Sequence, residues 1–164
     1  MPELQLFTPN DRELVMTRSF AAPMELVFAC HTRPELVRRW LLGPPGWTMP
    51  LCEIDARVGG AYRFRWRGPD GETMSASGVH REVVAPERLV FTQLFDEDWT
   101  GGETLITVTL RDMAGHTELT QTTLFASAEA RKAALDTGMT EGMESSFQQL
   151  DALLATEGEI TRER

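Results

Sequence analysis

The residues of this sequence best suited to acid–base chemistry are His80 and Glu82, two positions apart in a predicted strand. Alternate residues of a strand point to the same face, so both side chains are expected on one wall. A histidine beside a carboxylate can act as general base or acid in an aldol, dehydration or hydrolysis step. Both residues could instead lie at the rim and bond to water or to Arg81 and Arg88. Because no third group orients the base, an enzymatic function is the less favoured interpretation, and it is kept as an alternative.

Other reactive patterns are missing from the sequence. The three histidines, His31, His80 and His116, are widely separated, with no HxH or HExxH spacing. Cys30 and Cys52 form no CxxC motif. GxSxG, a phosphate-binding loop and GxGxxG do not occur either, so we expect no metal and no nucleotide cofactor.

The composition is that of an ordinary globular protein. The chain has 164 residues, 41% of them hydrophobic, which suits a single domain. Its formal net charge of -9 argues against nucleic acid or anionic lipid as the main partner. The N-terminus lacks the features of a leader, and no apolar run is long enough to span a membrane. We therefore expect no membrane span and a cytoplasmic protein.

The elements that would position His80 and Glu82 follow from alternation and turn residues. Residues 61–67 alternate strictly, with Tyr62, Phe64 and Trp66 on one face and arginines on the other. Gly, Pro and Asp clusters separate further runs of this kind. Because no helix intervenes between most of these runs, they should form an antiparallel meander. Strands are predicted at 13–20, 47–58, 60–67, 72–84, 88–96, 103–111 and 117–125.

Helices are predicted at two places in the chain. Two short ones follow the first strand, starting at Ala22-Pro23 and at Thr32-Arg33-Pro34. One long helix should run from a Ser127 N-cap to about residue 156. Its glycines, Gly138 and Gly142, would allow either close packing on the sheet or room for a ligand. Its apolar stripe comprises Leu135, Met139, Met143, Phe147, Leu150 and Leu154.

Turn types predict which residues face inward. Pro69-Asp70-Gly71 suits a three-residue hairpin in which Trp66 faces Met74, Phe64 faces Ala76 and Tyr62 faces Gly78. A two-residue turn after Ala85 would place Phe91 opposite Glu82, Gln93 opposite His80, and Phe95 opposite Gly78. A slip of one residue would invert either face. The predicted ligand contacts, from this wall and the long helix, are Tyr62, Phe64, Trp66, His80, Phe91, Gln93, Phe95, Met139, Met143 and Phe147.

Three tryptophans lie near predicted loops. Trp40 and Trp47 flank the loop at 43–46, either as core anchors or as a lid over a cavity. Trp99 lies on a loop that could close the entrance or simply be part of the surface.

Several motifs together resemble the START-like (SRPBCC, Bet v-like) superfamily, in the branch homologous to the C-terminal domain of the activator of heat-shock-protein-90 ATPase. The resemblance covers about residues 12–156, with a loose arm at 1–11 and a frayed tail at 157–164. It implies an α+β helix-grip fold, in which a curved antiparallel sheet wraps around the C-terminal helix over an apolar cavity. It supplies no catalytic residue. The motifs are Ala22-Pro23-x-x-Leu26-Val27-Phe28, Thr32-x-Pro34-Glu35, Trp40, Gly43-Pro44, Asp55-x-Arg57-x-Gly59-Gly60, Pro69-Asp70-Gly71, Pro86-x-Arg88-Leu89-Val90-Phe91-Thr92 and the segment from Thr137-Gly138-Met139 to Leu150.

Three functions fit these observations. The leading hypothesis is a protein that binds an apolar or aromatic small molecule between the sheet and the long helix. The second is a small cyclase or hydrolase that uses His80 and Glu82. The third is a module that modulates a chaperone ATPase, which is less favoured because the branch takes its name from one domain of a longer protein. Exposed edge strands can also pair between two copies of the chain, so a homodimer is a further alternative.

Overall fold

The backbone forms an open antiparallel sheet with helices packed on its inner face. The computed structural model describes residues 3–97 and 101–163. Neighbouring strands follow the order β1-β2-β8-β7-β6-β5-β4-β3, so β1 and β3 are the edges. The strands of the described residues are β1 (Gln5–Phe7), β2 (Glu13–Phe20), β3 (Thr48–Ile54), β4 (Ala61–Arg67), β5 (Thr73–Val84), β6 (Arg88–Phe95), β7 (Thr104–Met113) and β8 (His116–Leu124).

The helices fall where the sequence predicts them, after the first long strand and after the last strand. The predicted α+β class, with a curved antiparallel sheet, two short helices and a long C-terminal helix, is confirmed. No helix in the described part of the chain is long and apolar enough to cross a membrane. The helices are α1 (Met24–Thr32), α2 (Pro34–Val37), α3 (Ala128–Asp136) and α4 (Met139–Glu163).

The last helix is interrupted, whereas the sequence predicted one continuous helix. Ser127 caps α3 as expected, since its hydroxyl oxygen accepts a hydrogen bond from the Ala130 N–H at 3.0 Å. Gly138 then adopts a φ of +84°, a left-handed conformation that ends a helix. The chain restarts as α4 at Met139, and its helical backbone continues to Glu163, beyond the predicted end at residue 156.

Part of the predicted loose arm is a strand. Residues 5–7 pair with β2, with Gln5 opposite Thr17. Leu6 and Phe7 remain 46% and 51% exposed, so the pairing is made by the backbone and not by burial. Three residues are too few for alternation to identify a strand, which is why this strand was not predicted.

The β4–β5 hairpin has the predicted register. Tyr62 lies opposite Gly78, and Phe64 lies opposite Ala76. Gly71 takes the left-handed conformation that the three-residue turn requires, with a φ of +86°. The aromatic side chains of β4 therefore face the helices.

The β5–β6 hairpin differs from the prediction in two ways. Its turn is one residue longer, because Val84 pairs with Arg88. A β-bulge between His80 and Glu82 then changes the register once more, so that Phe91 lies opposite His80 and not opposite Glu82.

The two changes together displace the pairing by two residues at the far end of the hairpin. Phe95 faces Ala76, where the sequence analysis placed it opposite Gly78. The predicted pairing of Gln93 with His80 is also wrong. A displacement by two residues preserves the face of a strand, so β6 still presents its predicted side chains inward.

The core lies between the inner face of the sheet and the helices. In α4, Phe147, Leu150 and Leu154 are almost fully buried against the sheet and α1. A second apolar cluster surrounds the aromatic side chains of β4 and includes Val37 of α2. The space between these two clusters is the candidate site.

Candidate functional site

A pocket with a volume of about 480 Å³ lies beneath the N-terminal part of α4. This volume is within the usual range of small-molecule sites. Most of the predicted contact residues line it, because β4, β5 and β6 turn the predicted faces inward. Those that line it are Tyr62, Phe64, Trp66, His80, Phe91, Gln93, Phe95, Met139 and Met143.

Phe147 is the predicted contact that does not line the pocket. Its ring packs edge-on against Phe20 at 5.4 Å and stacks on Trp40 at 6.0 Å. It is fully buried in the core. The helical stripe identifies it as inward-facing, but the stripe does not reveal which inward positions touch empty space.

The aromatic wall is a continuous chain of rings. Ring centroids lie 4.9 Å apart for Tyr62 and Phe64, 5.7 Å for Phe64 and Trp66, and 6.1 Å for Trp66 and Phe95. The Trp66 indole N–H donates to the Leu41 carbonyl at 2.7 Å, which fixes the ring. Such a wall offers flat apolar surfaces in fixed orientations.

The hydroxyl group of Tyr62 is used in a hydrogen bond within the protein. The O–H donates to the Thr92 carbonyl at 2.5 Å inside the protein. Burial raises the pKa of Tyr62 above its usual value of 10, and a hydrogen bond from Gln93 only partly opposes this. The phenol therefore stays protonated and does not serve as a base.

The predicted pairing of His80 with Glu82 does not form. His80 is 4% exposed and lines the pocket. Glu82 lies on the outer face, exposed and 3.4 Å from the Arg88 guanidinium. The β-bulge between the two residues is the physical reason, since one extra residue reverses the alternation. The rim interpretation therefore holds for Glu82 and fails for His80.

His31 is a pocket residue that the sequence analysis missed. It lies in the last turn of α1, where its Nδ1 is 2.8 Å from the Val27 carbonyl oxygen. Its ring packs edge-on against Trp40 at 5.0 Å. Burial lowers the pKa of His31 from 6.5, so the imidazole is neutral in the fold. The first helix was predicted to end before His31, and its position four residues after Val27, one helical turn further along, was the available signal.

The loop at 43–46 borders the pocket. Its Gly43 N–H donates to the Ser146 hydroxyl oxygen of α4 at 2.8 Å. Trp40 is a core anchor, buried and donating to the Cys30 carbonyl at 2.7 Å. Trp47 is half-buried and lines the pocket. Trp99, considered as a possible entrance residue, lies outside the described residues.

Polar lining residues that sequence analysis did not single out come from the middle of the sheet. Thr104 shares the inward face of β7 with Ile106, and Gln121 and Thr123 share that of β8 with Leu119. Gln121 lies between Thr120 and Thr122, so no contrast between apolar and polar neighbours in the sequence indicates that it faces the pocket. Glu97 is the charged residue among the described lining residues, which include no arginine or lysine.

No cluster of three potential metal ligands occurs among residues 3–97 and 101–163. The described lining therefore includes aromatic rings, methionines, a few neutral polar groups and one carboxylate. This arrangement can hold an apolar molecule and hydrogen-bond to a polar group on it.

Comparisons with known proteins agree with this architecture. A crystal structure of a Rhodobacter sphaeroides protein is 35% identical, with a TM-score of 0.88 over 94% of this chain and 99% of that chain. One from Mycobacterium smegmatis is 29% identical, with a TM-score of 0.81 over 93% of this chain and 97% of that chain. One from Nitrosomonas europaea is 25% identical, with a TM-score of 0.82 over 92% of this chain and 99% of that chain.

No curated protein matches the sequence. The family model described as "Activator of Hsp90 ATPase homolog 1-like protein" matches residues 21–155, which include both short helices, β3 to β8, α3 and most of α4. The chain therefore belongs to the Activator of Hsp90 ATPase homolog 1-like family.

Proposed function

We propose that the protein binds an apolar or aromatic small molecule in the pocket between the sheet and α4. The observation that carries this proposal is the pocket itself, about 480 Å³ of space walled by aromatic rings. Proteins with this fold commonly bind hydrophobic ligands, which supports the same conclusion.

Most of the side chains that border this space are apolar. Protein interiors are normally close-packed, whereas Phe64, Trp66 and Phe95 border empty space and keep 6–9% of their surface accessible. Covering apolar surface contributes roughly 25 cal/mol per Å², so a ring-shaped ligand gains binding energy without any charged contact.

The helix side of the pocket is suited to ligands of more than one shape. Met139 and Met143 lie at the start of α4 and contribute flexible thioether side chains. A Cβ at Gly142 would meet only the Pro44 Cδ, at 4.0 Å. Close packing is therefore not the reason for this glycine, and room for a ligand is the remaining interpretation.

The binding test uses a substitution that fills this room. Gly142→Leu would project a side chain toward the pocket, and Ala152→Leu adds the same side chain on an exposed part of α4. Trp40, Trp47 and Trp66 line the pocket, so quenching of tryptophan fluorescence by 2-methylnaphthalene reports occupancy.

We expect quenching to saturate in the wild-type chain and in Ala152→Leu. In Gly142→Leu, affinity should fall about tenfold, as expected when a site is overpacked. Native mass spectrometry of protein purified without added ligand should show a bound small molecule. The proposal would be refuted if quenching did not saturate and native mass spectrometry showed only the protein without a bound molecule.

A further inference from the structure

His80 is held in a single tautomer by the backbone. Its Nδ1 lies 3.1 Å from the Gly60 carbonyl oxygen, which can only accept a hydrogen bond. Nδ1 must therefore carry the proton. In the neutral ring this leaves Nε2 with an unshared electron pair, and Nε2 becomes a hydrogen-bond acceptor.

That acceptor has no partner within the protein. Among the described residues, no hydrogen bond reaches the Nε2 atom of His80, although the side chain is 4% exposed and lines the pocket. The ring lies between Tyr62 and Phe91, with centroid distances of 5.7 and 6.1 Å. Nε2 of His80 is not one of the fully buried side-chain atoms that lack a partner, so it keeps accessible surface, and a ligand donor can form a hydrogen bond with it.

Two hydroxyl groups of the pocket lining already donate to backbone carbonyls. The Tyr62 hydroxyl donates to the Thr92 carbonyl, and the Thr104 hydroxyl donates to the Gln93 carbonyl at 3.3 Å. Neither hydroxyl proton is therefore available to His80 Nε2. Among the described residues, Gln93, Gln121 and Thr123 also line the pocket but form no hydrogen bond with Nε2, so in this structure the donor has to come from water or from the ligand.

The charge of the lining decides between neutral and anionic ligands. Its described residues include no arginine or lysine, and Glu97 carries a negative charge. The whole chain has a formal net charge of -9. A carboxylate in the pocket would lose hydration and would meet no arginine or lysine among the described lining residues, which costs several kcal/mol in a buried apolar site.

We propose that the ligand is a neutral molecule that carries a hydroxyl group, and that this O–H donates to Nε2 of His80 while the apolar body lies on the aromatic wall. This inference rests on the proposed binding function. It makes His80 a specificity residue, which selects hydroxylated molecules over purely apolar and anionic molecules of the same shape.

The experiment compares three probes of one shape at pH 7.5: 2-naphthol, 2-methylnaphthalene and 2-naphthoate. Each is titrated into the wild-type chain, His80→Asn and His80→Gln. The asparagine amide can still donate to Gly60 in place of Nδ1 but removes the acceptor. The glutamine amide oxygen can occupy the position of Nε2. In the wild-type chain, ¹⁵N-histidine NMR follows the Nε2 resonance of His80 directly and does not depend on either variant folding.

We expect 2-naphthol to bind about three- to tenfold more tightly than 2-methylnaphthalene, the usual worth of one hydrogen bond. 2-Naphthoate should bind most weakly. The Nε2 resonance should move with 2-naphthol and not with 2-methylnaphthalene. His80→Asn should abolish the preference for the hydroxyl, and His80→Gln should restore part of it.

The hydroxyl inference is overturned if 2-methylnaphthalene binds as tightly as 2-naphthol, if 2-naphthoate binds best, or if the Nε2 resonance stays fixed when 2-naphthol saturates the pocket. In each of these cases saturable binding would leave the proposed function intact. If none of the probes binds, the hydroxyl inference fails, and the proposed function fails with it when native mass spectrometry also shows no bound molecule.

Discussion

Arg18 on β2 donates two hydrogen bonds to the carboxylate of Asp151 on α4, at 2.8 and 2.6 Å. The Arg18 side chain is 2% exposed, and its guanidinium also lies 4.8 Å above the Phe20 ring. Asp151 is 38% exposed. The pair joins the long helix to β2, and neither residue lines the pocket, so it fixes α4 without touching the candidate ligand.

Asp151→Asn should lower the free energy of unfolding by about 2 kcal/mol, because it leaves a buried guanidinium without its counter-charge. The expected loss is below that of a fully buried pair because Asp151 is partly solvated. Urea denaturation measures it. The matched control is Glu157→Gln, on the same helix as Asp151. It weakens the more exposed ion pair between Glu157 and Arg39 and should cost less than about 1 kcal/mol. Equal losses would contradict the assigned role of Arg18.

The two glycines near the start of α4 should respond in opposite directions to alanine. Gly142 lies within the helix, and a Cβ there meets nothing closer than 4.0 Å. Gly142→Ala should therefore stabilise the protein by about 0.5–1 kcal/mol. Gly138 has a φ of +84°, so Gly138→Ala should destabilise it by about 1 kcal/mol. Thermal unfolding of the two variants checks the signs, and a stabilised Gly138→Ala protein would mean that the helix break is not as described.

Protonation of His31 should destabilise the fold in mild acid. Burial keeps its pKa in the fold below the ordinary value of 6.5, so the unfolded chain binds this proton more readily. The stabilising contribution is complete above about pH 6.5 and is lost as the pH falls from there toward the lower pKa of the folded state. The free energy of unfolding should therefore decrease from pH 7.5 to 5.5.

His31→Asn should reduce this decrease, since asparagine can still donate to Val27 but does not titrate. His116→Asn, on an exposed hairpin tip, is the matched control and should keep the wild-type slope. Identical slopes in the wild-type chain and His31→Asn would show that His31 is not the responsible group.

Both cysteine thiols should react slowly in the native protein. Burial raises the pKa of Cys30 to about 12 and that of Cys52 to about 11. The reactive thiolate is therefore scarce near neutral pH. At pH 8, iodoacetamide should leave native protein largely unmodified and should alkylate both residues in denaturant, as measured by intact mass. Rapid native labelling of Cys52 would indicate that β3 is more open than its partial burial suggests.

The β4–β5 hairpin shows how much local sequence can predict. Strict alternation assigned Tyr62, Phe64 and Trp66 to one face, and the turn at Gly71 fixed their partners. Both signals act over a few residues, so no distant contact was needed to interpret them. The family resemblance then supplied the arrangement of sheet and helices.

The ion pair between Arg18 and Asp151 could not be predicted from local sequence patterns. Arg18 interrupts the apolar inward face of β2, and Asp151 lies among apolar residues of α4. Each is visible as an exception to its pattern. Their pairing depends on how α4 crosses the sheet, and 132 intervening residues set that geometry.

The sequence by itself determined which faces of the strands and of the last helix are apolar, because side-chain alternation is a local property of the backbone. It also placed His80 and Glu82 close together along the chain. Only the tertiary structure decided that His80 enters the pocket while Glu82 faces solvent, since the bulge between them forms where β5 pairs with β6. The empty space beneath α4 was likewise decided by packing, because volume left unfilled depends on every element around it at once.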